Sequence, residues 1–150
     1  MSSATEVPGA QLSGLETLRQ MIAAGQRPGI AVALDFALAE VEPGRAVFAG
    51  TPGLHAYNPI GMVHGGYAAT LLDSACGFAV HSKLSATQGY TTLDLNVSYL
   101  RPITKDTGPL RAEGTVKSVG RRAAFAEAKL TGEDGKLYAA ATSTLLVFDR

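Results

Sequence analysis

Cysteine is nearly missing from this 150-residue chain, with Cys76 the single example, and tryptophan is absent. One thiol cannot close an internal disulfide or build a cysteine zinc site, so a disulfide-stapled scaffold is excluded and a reducing cytoplasm is the expected compartment. Charge of either sign is not in excess: 13 basic residues balance 13 acidic ones, which leaves no overall pull toward nucleic acid or an anionic membrane. The opening "MSSATEVPGAQ" lacks the basic and then apolar regions of a secretory leader. The apolar runs fall short of the roughly 18 residues of a membrane span; the longest, from Val63 to Val80, is interrupted by Asp73 and its polar neighbours.

Sequence patterns that would name other chemistries are also absent. There is no G-x-S-x-G nucleophile elbow, and neither a Rossmann nor a P-loop glycine pattern. Aromatics are too scattered for a nucleic-acid stacking surface. His55, His64 and His81 lack metal-like spacing, so no metal and no cofactor are expected.

What remains is a chain that is 46% hydrophobic, enough to bury one substantial core. A loose arm is expected over residues 1–12 and one domain over 13–150. Ser13 and Glu16 have capping-box spacing, and Leu15, Leu18, Met21 and Ile22 recur at helical intervals until Gly25, which predicts an N-terminal surface helix. From Ile30, "IAVALDFALAEVEPGRAVFAG" reads as two strands joined at Pro43-Gly44. A second helix, starting at Gly65 and running to about Ser82, is apolar on most sides and is expected to be enclosed by other elements. Four strand-like runs follow, divided by turns at 104–107, Gly120 and 132–135. Strands and helices are segregated along the chain, which indicates an α+β domain: a strongly curved antiparallel sheet against a long central helix.

The stretch "VHGGYAATLLDSACGFAV" poses the functional question. Gly65 and Gly66 leave the first helical turn unshielded, where backbone N–H groups lack partners and the dipole is positive; they suit an anionic ligand or simply a sharp turn. Asp73 is costly in an apolar setting unless it is paired, and its neighbours one turn away, Ala69, Thr70, Cys76 and Gly77, are all small. That arrangement fits a ligand cleft or a structural acid bonded to a neighbouring element. Eight residues separate Gly65 from Asp73, about 12 Å along a helix. If both act on one substrate, the second must come from another copy of the chain, as in a symmetric dimer with antiparallel central helices.

Taken together, "YNPIGMVHGGYAATLLDSA", "YTTLDLNVSYLRP" and "GRRAAFAEAKLTGEDGKLYAAATST" resemble the hotdog-fold acyl-CoA thioesterases of the phenylacetate-pathway, PaaI-like type. The resemblance covers roughly Ile30 to Phe148 and rests on an upstream Asn, His-Gly-Gly, an acid seven residues later and a Thr-x-Asp strand. It implies a long helix wrapped by an antiparallel sheet, assembled as a homodimer and often a homotetramer, with sites at the dimer interface. It implies that the Gly65 N–H polarises the thioester carbonyl and that Asn58 positions that carbonyl or a water. Asp73 of the partner chain would be nucleophile or general base, with Thr92, or Thr91 if the register differs by one, orienting it. His64 and Gly66 are placed at the substrate-binding helix start, where His64 is expected to support the loop through its ring nitrogens rather than act as a base. Arg101, Arg121 and Arg122, with Lys117, are the cations available for the CoA phosphates. An acyl-CoA hydratase and a non-catalytic acyl-CoA binder or sensor are the rival readings. The hydratase needs an Asp and a His acting together, and His81 lies two turns beyond Asp73.

Overall fold

The computed structural model describes residues 11–150, so nearly all of the expected arm over 1–12 lies outside the described residues. Helix α1, Gly14–Ala24, begins at the predicted capping box: Ser13 Oγ accepts the Glu16 N–H at 3.2 Å while the Glu16 carboxylate reaches back to the Ser13 N–H. It ends at Gly25 in the left-handed conformation. Its Leu18 is fully buried among Val41, Ala46 and Ala79, pinning the helix across one edge of the core.

One expectation fails next. Ile30 does not open a strand; Gly29–Leu34 is a second short helix, α2, started by Pro28 and stopped by Asp35 at φ 58°. The described chain therefore carries two helices before the sheet rather than one. Proline at the cap presets the backbone, and the five residues Ile30 to Leu34, all Ala, Val, Ile or Leu, have no periodicity that separates helix from buried strand. Strand β1 starts only at Phe36, running Phe36–Glu42, and turns at Pro43-Gly44 into β2, Arg45–Gly50.

After a 3-10 turn at Leu54–Ala56 comes α3, Gly65–His81, followed by β3 (Gln88–Tyr99), β4 (Leu110–Val119), β5 (Ala123–Gly132) and β6 (Leu137–Asp149). All pairings are antiparallel, in the order β1-β2-β4-β5-β6-β3. This is the hotdog arrangement, with α3 lying in the concave side of the sheet and touching five of its strands heavily. The inner face explains how the helix fits: Ala112, Ala124, Ala126, Ala128, Ala139 and Ala141 are buried there, small enough to let a helix approach closely. At the tightest point Gly114 of β4 faces the Ala75 carbonyl of α3, and any β-carbon there would collide with it.

Tyr67, Ala68, Leu71, Leu72, Ala75, Cys76, Gly77, Ala79 and Val80 are the buried residues of α3. Asp73 and Ser74 are half-buried, and Asp73 meets β3. Among the described residues no helix is long and apolar enough to cross a membrane.

Candidate active site

The acid is satisfied by a strand, not by the core. Thr92 Oγ1 donates to Asp73 Oδ1 at 2.8 Å. Among the described residues Oδ2 has no hydrogen-bond partner, so one carboxylate oxygen is fixed while the other stays available. The register of β3 decides which threonine does this. Thr92 lies opposite the buried Leu145 and so faces α3, whereas Thr91 is opposite the exposed Leu146 and points away. Thr91 is thereby removed as a companion to Asp73. A bulge at Leu93 follows at once, shifting the register before Asp94.

At the other end of the same helix, His64 is the cap: its Nδ1 accepts the Gly66 N–H at 2.7 Å. That hydrogen bond places the ring proton on Nε2 and occupies the Gly66 N–H, so Gly66 cannot offer it to a ligand. The Gly65 N–H has no acceptor among the described residues. Tyr99 Oη donates to the Gly65 carbonyl at 2.7 Å, holding the helix start against the end of β3. A β-carbon at position 65 would come within 3.2 Å of the Tyr99 ring, so glycine is what allows both the contact and access.

Asn58 shapes the loop beneath. Its side-chain oxygen accepts the N–H groups of Ile60 and Met62, both at 3.1 Å, which leaves only its NH2 to donate outward. Asn58, His64, Gly65, Tyr99 and Arg101 line one cavity of about 330 Å³, together with Met62, Val63, Ala68 and Ile103. Asp73 and Thr92 are not among the residues lining it. Within one chain, then, the donors around Gly65 and the acid with its threonine lie two turns apart along α3.

The cations divide in the same way. Arg101 sits in the Gly65 cavity. Arg121 and Arg122 are exposed on the β4–β5 turn, at the Thr92 end of the sheet, because Ala124 pairs with Leu145 and Leu145 with Thr92. None of these three arginines makes an ion pair among the described residues, while Lys117 is held by Glu127 at 3.4 Å. Cys76 is fully buried, and burial pushes its thiol up to about 12. Among the described residues no group of three or more His, Cys, Asp or Glu side chains is placed to hold a metal ion.

Sequence reasoning missed Tyr99 and Tyr90. Tyr99 ends the strand run in "SYLRP", but nothing local shows that its hydroxyl meets a carbonyl 34 residues upstream. Tyr90 faces the helix two residues before Thr92, a placement that only the register provides.

The family model of the thioesterase superfamily matches residues 60–139, more than half of the chain. A Halobacterium salinarum protein bearing an esterase name is 49% identical over 69 residues, 45% of this chain and 44% of that protein, so the match spans less than half of that relative's length. Among solved structures, a phenylacetic acid degradation-related protein of Ralstonia eutropha is 29% identical with a TM-score of 0.76, covering 86% of this chain and 98% of that one. The E. coli PaaI protein from the phenylacetic acid degradation operon shares the fold, with a TM-score of 0.77 at 20% identity, covering 89% of this chain and 96% of that one.

Proposed function

The chain belongs to the thioesterase superfamily, and from that premise we propose that it is an acyl-CoA thioesterase, releasing a carboxylic acid and free CoA. The observation that carries this reading is the Asp73 carboxylate, held through Oδ1 by Thr92 with Oδ2 open, on a helix whose first N–H is also open. A thioester needs a nucleophile at its carbonyl carbon and stabilisation of the oxygen on which charge develops. Asp73 Oδ2 serves the first need, either by attacking or by taking a proton from water; the Gly65 N–H, at the positive end of the helix, serves the second. The Asn58 NH2 is the further donor for the carbonyl.

These groups meet only across two copies. In support, β3 pairs with β6 alone, and its other edge, twelve residues long with Leu93 exposed, has no partner among the described residues. A long free edge is a template for strand pairing. Two copies joined there would lay their α3 helices antiparallel, bringing Gly65 of one beside the acid of the other. The CoA phosphates would then take Arg101 from one copy or Arg121 and Arg122 from its partner. No cofactor is required for this chemistry. The hydratase reading is disfavoured by His81, whose ring packs between Phe78 and Tyr90 rather than beside Asp73. The test is thiol release across an acyl-CoA panel with wild type and Asp73→Asn in parallel. Release that survives the substitution would overturn the mechanism, and binding without release would favour a sensor.

A further inference from the structure

On α3 the positions Asp73, Gly77 and His81 recur every four residues and so share one face. Gly77 lacks a side chain, and the space is taken by Tyr90: a β-carbon there would stand 3.2 Å from Tyr90 Cε2. The Tyr90 ring also packs against His81, tilted by 48° with centroids 5.0 Å apart. Tyr90 and Thr92 are on the same inner face of β3, opposite the buried Val147 and Leu145. One strand thus presents, side by side, the hydroxyl that holds Asp73 and an aromatic ring that covers the next two turns of the helix.

Behind that ring lies a second cavity, of about 400 Å³, under α1. Thr17, His81, Gln88, Phe148 and Arg150 line it, and Tyr90 is part of its wall. The His81 Nδ1 is buried with no hydrogen-bond partner among the described residues. Tyr90 Oη makes no hydrogen bond among the described residues, so packing alone holds the ring where it is.

We infer that Tyr90 is the residue that limits acyl length, closing the Asp73 site off from the cavity under α1. This rests on the thioesterase reading above. The reacting carbonyl has to lie within about 3 Å of Asp73 Oδ2. From there to Gly77 is one helical turn, roughly 6 Å, before the Tyr90 ring is met. A short acyl chain or a single ring ends in that distance. A longer chain has to displace the aromatic ring, and the cavity behind it is the space it would enter.

The experiment compares kcat/KM for butyryl-, hexanoyl- and decanoyl-CoA in wild type, Tyr90→Ala, Tyr90→Leu and Tyr90→Phe. Tyr90→Ala is expected to raise the decanoyl to butyryl ratio by about tenfold or more, since each methylene newly accommodated is worth about that factor in discrimination. Tyr90→Leu is expected to raise it less, and Tyr90→Phe to keep the wild-type ratio because the ring remains. A merely structural role would lower all substrates together and leave the ratio unmoved. If Tyr90→Ala does not fold, Tyr90→Leu carries the comparison. An unchanged ratio in the folded variants, with release still dependent on Asp73, would overturn this inference alone. No thiol release from any acyl-CoA by wild type would overturn the thioesterase reading and this inference with it.

Discussion

Asp73 answers a single-residue question: what makes a carboxylate tolerable in the least polar helix of the chain. Its half-buried position and the 2.8 Å hydrogen bond from Thr92 supply the answer. Asp73→Asn is expected to lower kcat by about a thousandfold, within the range general-base or nucleophile loss produces, with thermal stability nearly unchanged. Thr92→Ala, which frees the carboxylate to rotate, should cost about a hundredfold in kcat, and Thr92→Ser should restore most of it. Cys76 offers the opposite expectation. With its thiol pushed up to about 12 by burial, thiolate is scarce at neutral pH, so a thiol alkylator should leave the native protein active and unlabelled by mass spectrometry. His81 gives a pH dependence. Burial, then the charge of Arg150, lowers its folded-state value below the ordinary 6.5, so the unfolded chain binds the proton first. Stability is therefore full above about 6.5 and falls as pH drops below it; His81→Gln should flatten that acid slope in denaturation titrations.

At the scale of elements, the contact between α3 and β4 decides how deeply the helix sits in the sheet. Gly114→Ala would drive a methyl group into the Ala75 carbonyl, which cannot move without moving the helix. A loss of about 1–3 kcal/mol is expected from such overpacking, read as a lowered midpoint in urea with the secondary-structure spectrum retained. Local signals located α1 through its capping box and stop, Ser13, Glu16 and Gly25, and α3 through the glycine entry at Gly65 and its long apolar run. They misread α2, where the five apolar residues after Gly29 carry no period, and they left Thr91 and Thr92 open, because facing depends on pairing with β6.

At the scale of the whole molecule, the proposed mechanism requires the Gly65 donors of one copy to meet Asp73 of another. Inactive Asp73→Asn and inactive Asn58→Ala chains, mixed after unfolding and refolded together, should recover roughly a quarter of wild-type activity, because half of the dimers are mixed and each of these carries one intact site. Mixtures that stay inactive would place all the groups within one chain and would conflict with the two-turn separation on α3. The resemblance read from "NPIGMVHGG", "LLDSA" and "TTLDLN" reached Asn58, Gly65, Asp73 and Thr92 because these residues sit in short contiguous motifs. The sequence by itself determined the class: an α+β domain, a capped first helix, a glycine-started central helix and an acid within it, all short-range matters of periodicity, capping and turn chemistry. Only the tertiary structure decided that Thr92 rather than Thr91 holds the acid, that His64 consumes the Gly66 N–H, and that Tyr99 and Tyr90 guard the two ends of α3. Each of those outcomes depends on strand register or on a contact between residues distant in the chain, and no local pattern encodes either.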